Sequence, residues 1–124
     1  MTRAELQRAL TWFRRRFGLQ RYRVRLYTAA RPPKRFLRDD TPDTVGEIDV
    51  HCYKNEAELW VPIARCKQRG EDVLGVLFHE GMHLAAQHAN IEGAHPPQEN
   101  ELLWDKVGWA LADLYMLQRA KDGR

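Results

Sequence analysis

The stretch Val76-Leu77-Phe78-His79-Glu80-Gly81-Met82-His83-Leu84 decides how the rest of the chain is read. With the residues around it, it predicts a helix that Gly70-Glu71-Asp72 introduces and that runs to about Ala89, its acids lying in the first turn where the helix dipole favours them. On that helix His79 and His83 are four residues apart and project from one face, about one turn from each other. Two neutral imidazoles so placed can hold one Zn²⁺ at about 2.0–2.1 Å. Glu80 is rotated by about 100° from His79. It therefore lies beside the ion rather than on it, where a carboxylate can take a proton from a metal-activated water. Burying His, Glu and His together without an ion would demand a separate partner for each.

A catalytic zinc keeps three protein ligands and one open position. Downstream candidates for the third ligand are His88, Glu92, His95, Glu99 and Glu101. His88 follows His83 by five residues, about 140° round the helix, and no glycine between them permits a break, so it points away. His95 can swing back after the turn at Asn90–His95. Glu101 has the best context, on the next helix in Asn100-Glu101-Leu102-Leu103-Trp104-Asp105. Glu101 and Asp105 are four apart and share a face. Glu101 can bind the ion while Asp105 accepts the free ring N–H of a ligand histidine and fixes its tautomer.

Outward from the motif, Leu6, Leu10, Phe13 and Phe17 recur at helical steps over residues 3–17, and Gly18 stops that helix. Tyr22 to Tyr27 alternates as a half-buried strand, and the proline-rich 28–44 reads as a loop. Val45–Tyr53 and Ala57–Ile63 are two further strands, joined by the polar hairpin segment Tyr53-Lys54-Asn55-Glu56. Pro62 cannot donate to a ladder, so the third strand lies at an edge or ends there. Pro96-Pro97 opens a last helix to about Ala120, with Leu102, Leu103, Val107, Leu111, Leu114 and Leu117 as its buried stripe. The reading is a single α+β domain over residues 1–124: an N-terminal helix, a small three-stranded mixed or antiparallel sheet, the motif helix and a C-terminal helix.

Composition sets the outer limits. At 124 residues, 44% hydrophobic and 30% charged, the chain can bury one core and is not disordered. The mean hydropathy is −0.63, and no apolar run approaches the ~18 residues of a membrane span. Met1-Thr2-Arg3-Ala4-Glu5 lacks the apolar stretch of a secretory signal, so a cytoplasmic location is expected. Cys52 and Cys66 show no metal-type spacing and read as inert thiols. His51 reads as an ordinary strand histidine. Trp12, Trp60, Trp104 and Trp109 read as core or rim aromatics. Residues 1–38 carry 12 of the 20 Lys and Arg and one acid, Glu5, whereas residues 39–124 carry 8 bases and 16 acids. Such a basic pole can meet nucleic acid or an acidic partner, or be neutralised within the fold. Arg14-Arg15-Arg16 reads as a solvated helix face.

His79-Glu80-x-x-His83 followed by Asn100-Glu101-x-x-x-Asp105 resembles the gluzincin metallopeptidases. The resemblance covers about residues 76–105. It implies His79, His83 and Glu101 as zinc ligands, Glu80 as general base and Asp105 as the group that orients a ligand. The whole chain resembles the minimal zincin-like peptidase domains of bacteria and their phages, which place a helix and three strands before the motif helix and line the cleft with an edge strand; Ala57–Val61 is expected in that place. Larger gluzincins stabilise the oxyanion from a C-terminal domain. Here Tyr115, His88, His95 and Tyr53 are the candidates for that role. The expected function is zinc-dependent hydrolysis of a protein or peptide substrate, without a membrane. One alternative is a protease similar to the DNA-associated SprT-like group, whose third ligand is a histidine, with His95 in place of Glu101. Another is a non-catalytic zinc-binding regulatory or phage accessory module. A metal-dependent nuclease built on three histidines fits less well, because it lacks the adjacent glutamate.

Overall fold

The computed structural model describes residues 1–33, 45–51, 54–89 and 97–123, with only the backbone at 97–100. In chain order the elements are α1 (Arg3–Arg16), β1 (Arg23–Tyr27), β2 (Glu47–His51), β3 (Glu56–Trp60), α2 (Ile63–Gln68), α3 (Val73–His88) and α4 (Pro97–Asp122). The architecture is α+β, with four helices and a small mixed sheet.

Helix α1 begins in a reciprocal cap: the Thr2 hydroxyl accepts from the Glu5 amide, and the Glu5 carboxylate accepts from the Thr2 amide. Its inner stripe is Leu6, Ala9, Leu10 and Phe13. Gly18 turns the chain with φ +65°, a conformation that costs a side-chain-bearing residue energy. Arg14 differs from its expected solvated role. Its guanidinium folds back and donates to the carbonyls of Leu19, Gln20 and Tyr22, closing the turn into β1. Arg16 stacks over Trp12 and donates to the Gln118 side chain.

The sheet order is β1-β3-β2, with β3 parallel to β1 and antiparallel to β2. This corrects the expected edge position of Ala57–Val61: that segment is the central strand, and its backbone is engaged on both sides. The cause is a crossover. The strand after β1 in the sequence joins the far side of the strand that follows it, and no local pattern encodes such an order. Ala57 and Leu59 face the core while Glu56 and Glu58 face out. The strand ends at Trp60, and Pro62 then caps α2. Ile63 is therefore helical, not the end of the strand, and α2 is an element that apolar periodicity missed because it is six residues long. It buries Cys66, whose thiol donates to the Val45 carbonyl at 3.5 Å. Burial first, and then nearby Glu71, push that thiol up to about 11.

Helix α4 corrects a second expectation. Its buried face is Trp104, Gly108, Ala112 and Tyr115, with Val107 and Leu111 half-buried. Leu102, Leu103, Leu114 and Leu117 are instead exposed, Leu117 by 68%. The leucines have helical spacing, but the small residues Gly108 and Ala112 let α3 approach far more closely, and that contact sets which face turns inward. Among the described residues, no helix is long and apolar enough to cross a membrane.

Two outcomes follow from this packing. Leu77→Ala, in a fully buried site, should cost about 2–5 kcal/mol in urea unfolding, whereas Leu102→Gln should stay within about 0.5 kcal/mol. In a Cys52→Ser background, Cys66 should resist a thiol reagent near neutral pH until the chain is unfolded. Because its folded-state pKa is raised, its contribution to stability should be complete below about pH 9 and fade as pH rises towards 11. Rapid labelling of the folded chain would contradict this placement.

Candidate metal centre

Helix α3 starts where the Asp72 carboxylate accepts from the Leu74 amide. It is held from three directions. The Phe13 ring of α1 lies on Gly81, where an added Cβ would stand 2.8 Å from ring carbon. Gly46, at the entry to β2, lies against Val76 and Glu80, where a Cβ would stand 2.6 Å from Val76 Cγ1. Gly108 of α4 meets α3 backbone: a Cβ there would stand 2.9 Å from the Gly75 carbonyl oxygen and 3.1 Å from the His79 amide nitrogen. This crossing lays the first turns of α4 along the His79–His83 face.

At that crossing four side chains converge. His79 Nε2 and His83 Nε2 are 3.2 Å apart. The Glu101 carboxylate reaches both, Oε2 to His79 Nε2 at 2.8 Å and Oε1 to His83 Nε2 at 2.7 Å. His79 Nδ1 donates to Asp105 Oδ1 at 2.7 Å. That bond leaves a lone pair on Nε2 of neutral His79, aimed at a carboxylate and a second imidazole. Two ring nitrogens and two carboxylate oxygens facing one another at 2.7–3.2 Å require a positive charge between them or a proton on a ring. Two nitrogens bound tetrahedrally at about 2.0–2.1 Å would lie about 3.3–3.4 Å apart, so the nitrogen–nitrogen spacing and the donor chemistry fit a divalent cation, whereas the 2.7–2.8 Å approaches of Glu101 are hydrogen-bond distances that would lengthen around an ion.

Glu80 lies alongside, its Oε2 3.8 Å from His79 Nε2 and its side chain only 12% exposed. Together His79, Glu80 and His83 form a group able to hold a metal ion among the described residues. The space in front is a cleft of about 350 Å³, walled by Val45 and Gly46 on one side and by Glu101, Asp105 and Trp109 on the other, with Glu71 at its margin. A larger cavity of about 690 Å³ lies elsewhere, between α1 and β1, lined by Arg3, Arg25 and Arg31. It contains none of the metal-ligand groups found among the described residues, so the smaller cleft is the candidate site.

The structure thus brings His79, Glu80, His83, Glu101 and Asp105 together. It does not bring His88 or Tyr115 to them. His88 Nδ1 pairs with the Tyr22 hydroxyl at 3.0 Å, as its angular offset implied. Tyr115 is buried against Trp12 and Phe78, with ring centroids 5.2 and 6.1 Å away, which removes it as an oxyanion group. His51 is paired with Asp49. His95, Glu92, Tyr53 and Cys52 lie outside the described residues, as does the Glu99 side chain. Trp109 is a cleft residue that the sequence reading treated as core or rim. It lies over Gly75 and remains 56% exposed. The signal was present, since Glu101, Asp105 and Trp109 recur at four-residue steps along one face. Comparison of the chain with protein-family models, curated proteins and solved structures returned no match.

The Gly75–Gly108 contact generates a prediction. Gly108→Ala must push α4 off α3 and withdraw Glu101 and Asp105 together. The substitution should cost about 1–3 kcal/mol and weaken zinc affinity, read by chelator competition, by about 10- to 100-fold. Unchanged zinc affinity would show that the helix contact does not set the site.

Proposed function

We propose that the chain is a zinc-dependent peptidase of zincin-like architecture, gluzincin-like in its donors. The observation that supports this most is the approach of Glu101 to both ring nitrogens at 2.7–2.8 Å, with Glu80 beside them. His79, His83 and Glu101 would hold the ion. When bound, zinc lowers the pKa of a coordinated water towards ~7 and polarises a carbonyl. Asp105 fixes the His79 tautomer so that Nε2 faces the ion. Glu80 accepts the proton of the attacking water and returns it to the leaving amine. Its near-burial supports this role, because a carboxylate sheltered from solvent keeps that proton close to the reacting groups.

Among the described residues, strand β2 pairs with β3 on one side only, and the residues leading into it, Val45 and Gly46, wall the cleft. An extended peptide would add to its outer edge by main-chain hydrogen bonds and cross the cleft in front of Glu80. The role once expected of Ala57–Val61 thus passes to β2. A carboxylate in the third ligand position favours this reading over the SprT-like alternative, which needs a third histidine. An adjacent buried glutamate favours it over a purely structural zinc module, whose fourth position is usually closed.

Glu80→Gln tests the proposal. The zinc-loaded variant should keep one zinc per chain yet lose about 10²–10⁴-fold in cleavage of an unfolded protein or a mixed peptide pool. Cleavage at the wild-type rate would overturn the mechanism.

A further inference from the structure

Among the described residues, the large apolar side chains that stand well exposed all belong to α4. They divide into two stripes. Leu102, Trp109 and Met116 recur every seven residues on the flank beside the cleft. Leu103, Val107, Ala110, Leu114 and Leu117 recur at steps of four, three, four and three on the other flank. At about 100° per residue this second stripe lies well round the helix from Trp104, Gly108, Ala112 and Tyr115, which pack inward. Leu103, Leu114 and Leu117 are 45%, 50% and 68% exposed. Apolar residues at a mean spacing of 3.5 form the seam by which one helix packs along another over several turns.

We propose that this seam joins α4 to α4 of a second copy of the chain, with the two helices antiparallel. The residues flanking the seam select both partner and direction. On the inner flank Trp104, Leu111 and Gln118 are buried or half-buried against their own chain. On the outer flank Lys106 and Asp113 are exposed, opposite in charge and seven residues apart. A parallel pair would set each outer flank against the partner's inner flank and leave these charges without counterparts. An antiparallel pair sets outer flank against outer flank. Leu103 then meets Leu114 of the second copy, Val107 meets Ala110, and Lys106 comes beside Asp113. The two-fold axis repeats every contact, so one helix supplies both halves of each ion pair. This self-complementarity points to a second copy rather than to an unrelated protein. The stripe containing Trp109 stays outside the contact, so both clefts remain open.

Sedimentation velocity of the full chain across the micromolar range tests the assignment. The wild type should be dimeric at the upper end. Leu114→Lys should weaken association by about 100-fold or more, and Lys106→Asp by about tenfold. The exchange Lys106→Asp/Asp113→Lys should return it to within about threefold of wild type. All three positions are exposed, so circular dichroism should show an unchanged fold. A monomer throughout, a dimer indifferent to Leu114→Lys, or no recovery in the exchanged variant would each overturn the proposal.

Discussion

The site depends on two helices meeting at Gly75 and Gly108, where a single methyl group would stand 2.9 Å from a carbonyl oxygen. Side chains of ordinary size at that crossing would hold the axes further apart. Glu101 and Asp105 lie seven and three residues before Gly108, so the approach of the backbones determines how far their short carboxylate arms must reach. Both reach His79, one on each ring nitrogen. The rest of the fold serves this contact from behind: Phe13 fills the space over Gly81, and the entry to β2 closes on Val76 and Glu80 through Gly46.

The same geometry divides the acids by role. Asp105 takes the outward N–H of His79 and acts only through that ring. Glu101 faces both Nε2 atoms and, in the proposed site, is the carboxylate that would share an ion with them. Glu80 lies beside the pair, its Oε2 3.8 Å from His79 Nε2. Three carboxylates within one turn of two histidines would repel one another without a cation among them. The proposed zinc offsets that repulsion; Asp105 and Glu80 both stay off it, and Glu80, the one beside the two Nε2 atoms, is the proposed base.

Much of this was legible in the sequence. His79 and His83 are one turn apart on any helix, and Glu101 and Asp105 share a face of the next, so the convergence of these side chains could be expected before any fold, with Glu101 and His95 both open as a third ligand. The inward face of α1 followed from periodicity. What escaped was set by tertiary choice. The leucines of α4 match a helical stripe, yet Gly108 and Ala112 turned a different face inward, because close approach rather than side-chain size decided the contact. The central place of β3 reflects a crossover that alternation does not record. Arg14 looks like one of three surface arginines, and only the turn at Gly18 shows that it binds three carbonyls. Trp109 belonged to the Glu101–Asp105 face and could have been found by extending that spacing by one more step.

The most direct measurement is X-ray absorption at the zinc edge of the metal-loaded chain. The account predicts a first shell of nitrogen and oxygen alone at about 2.0–2.1 Å, with outer-shell scattering from two imidazoles. A third imidazole, or any sulfur in that shell, would contradict it.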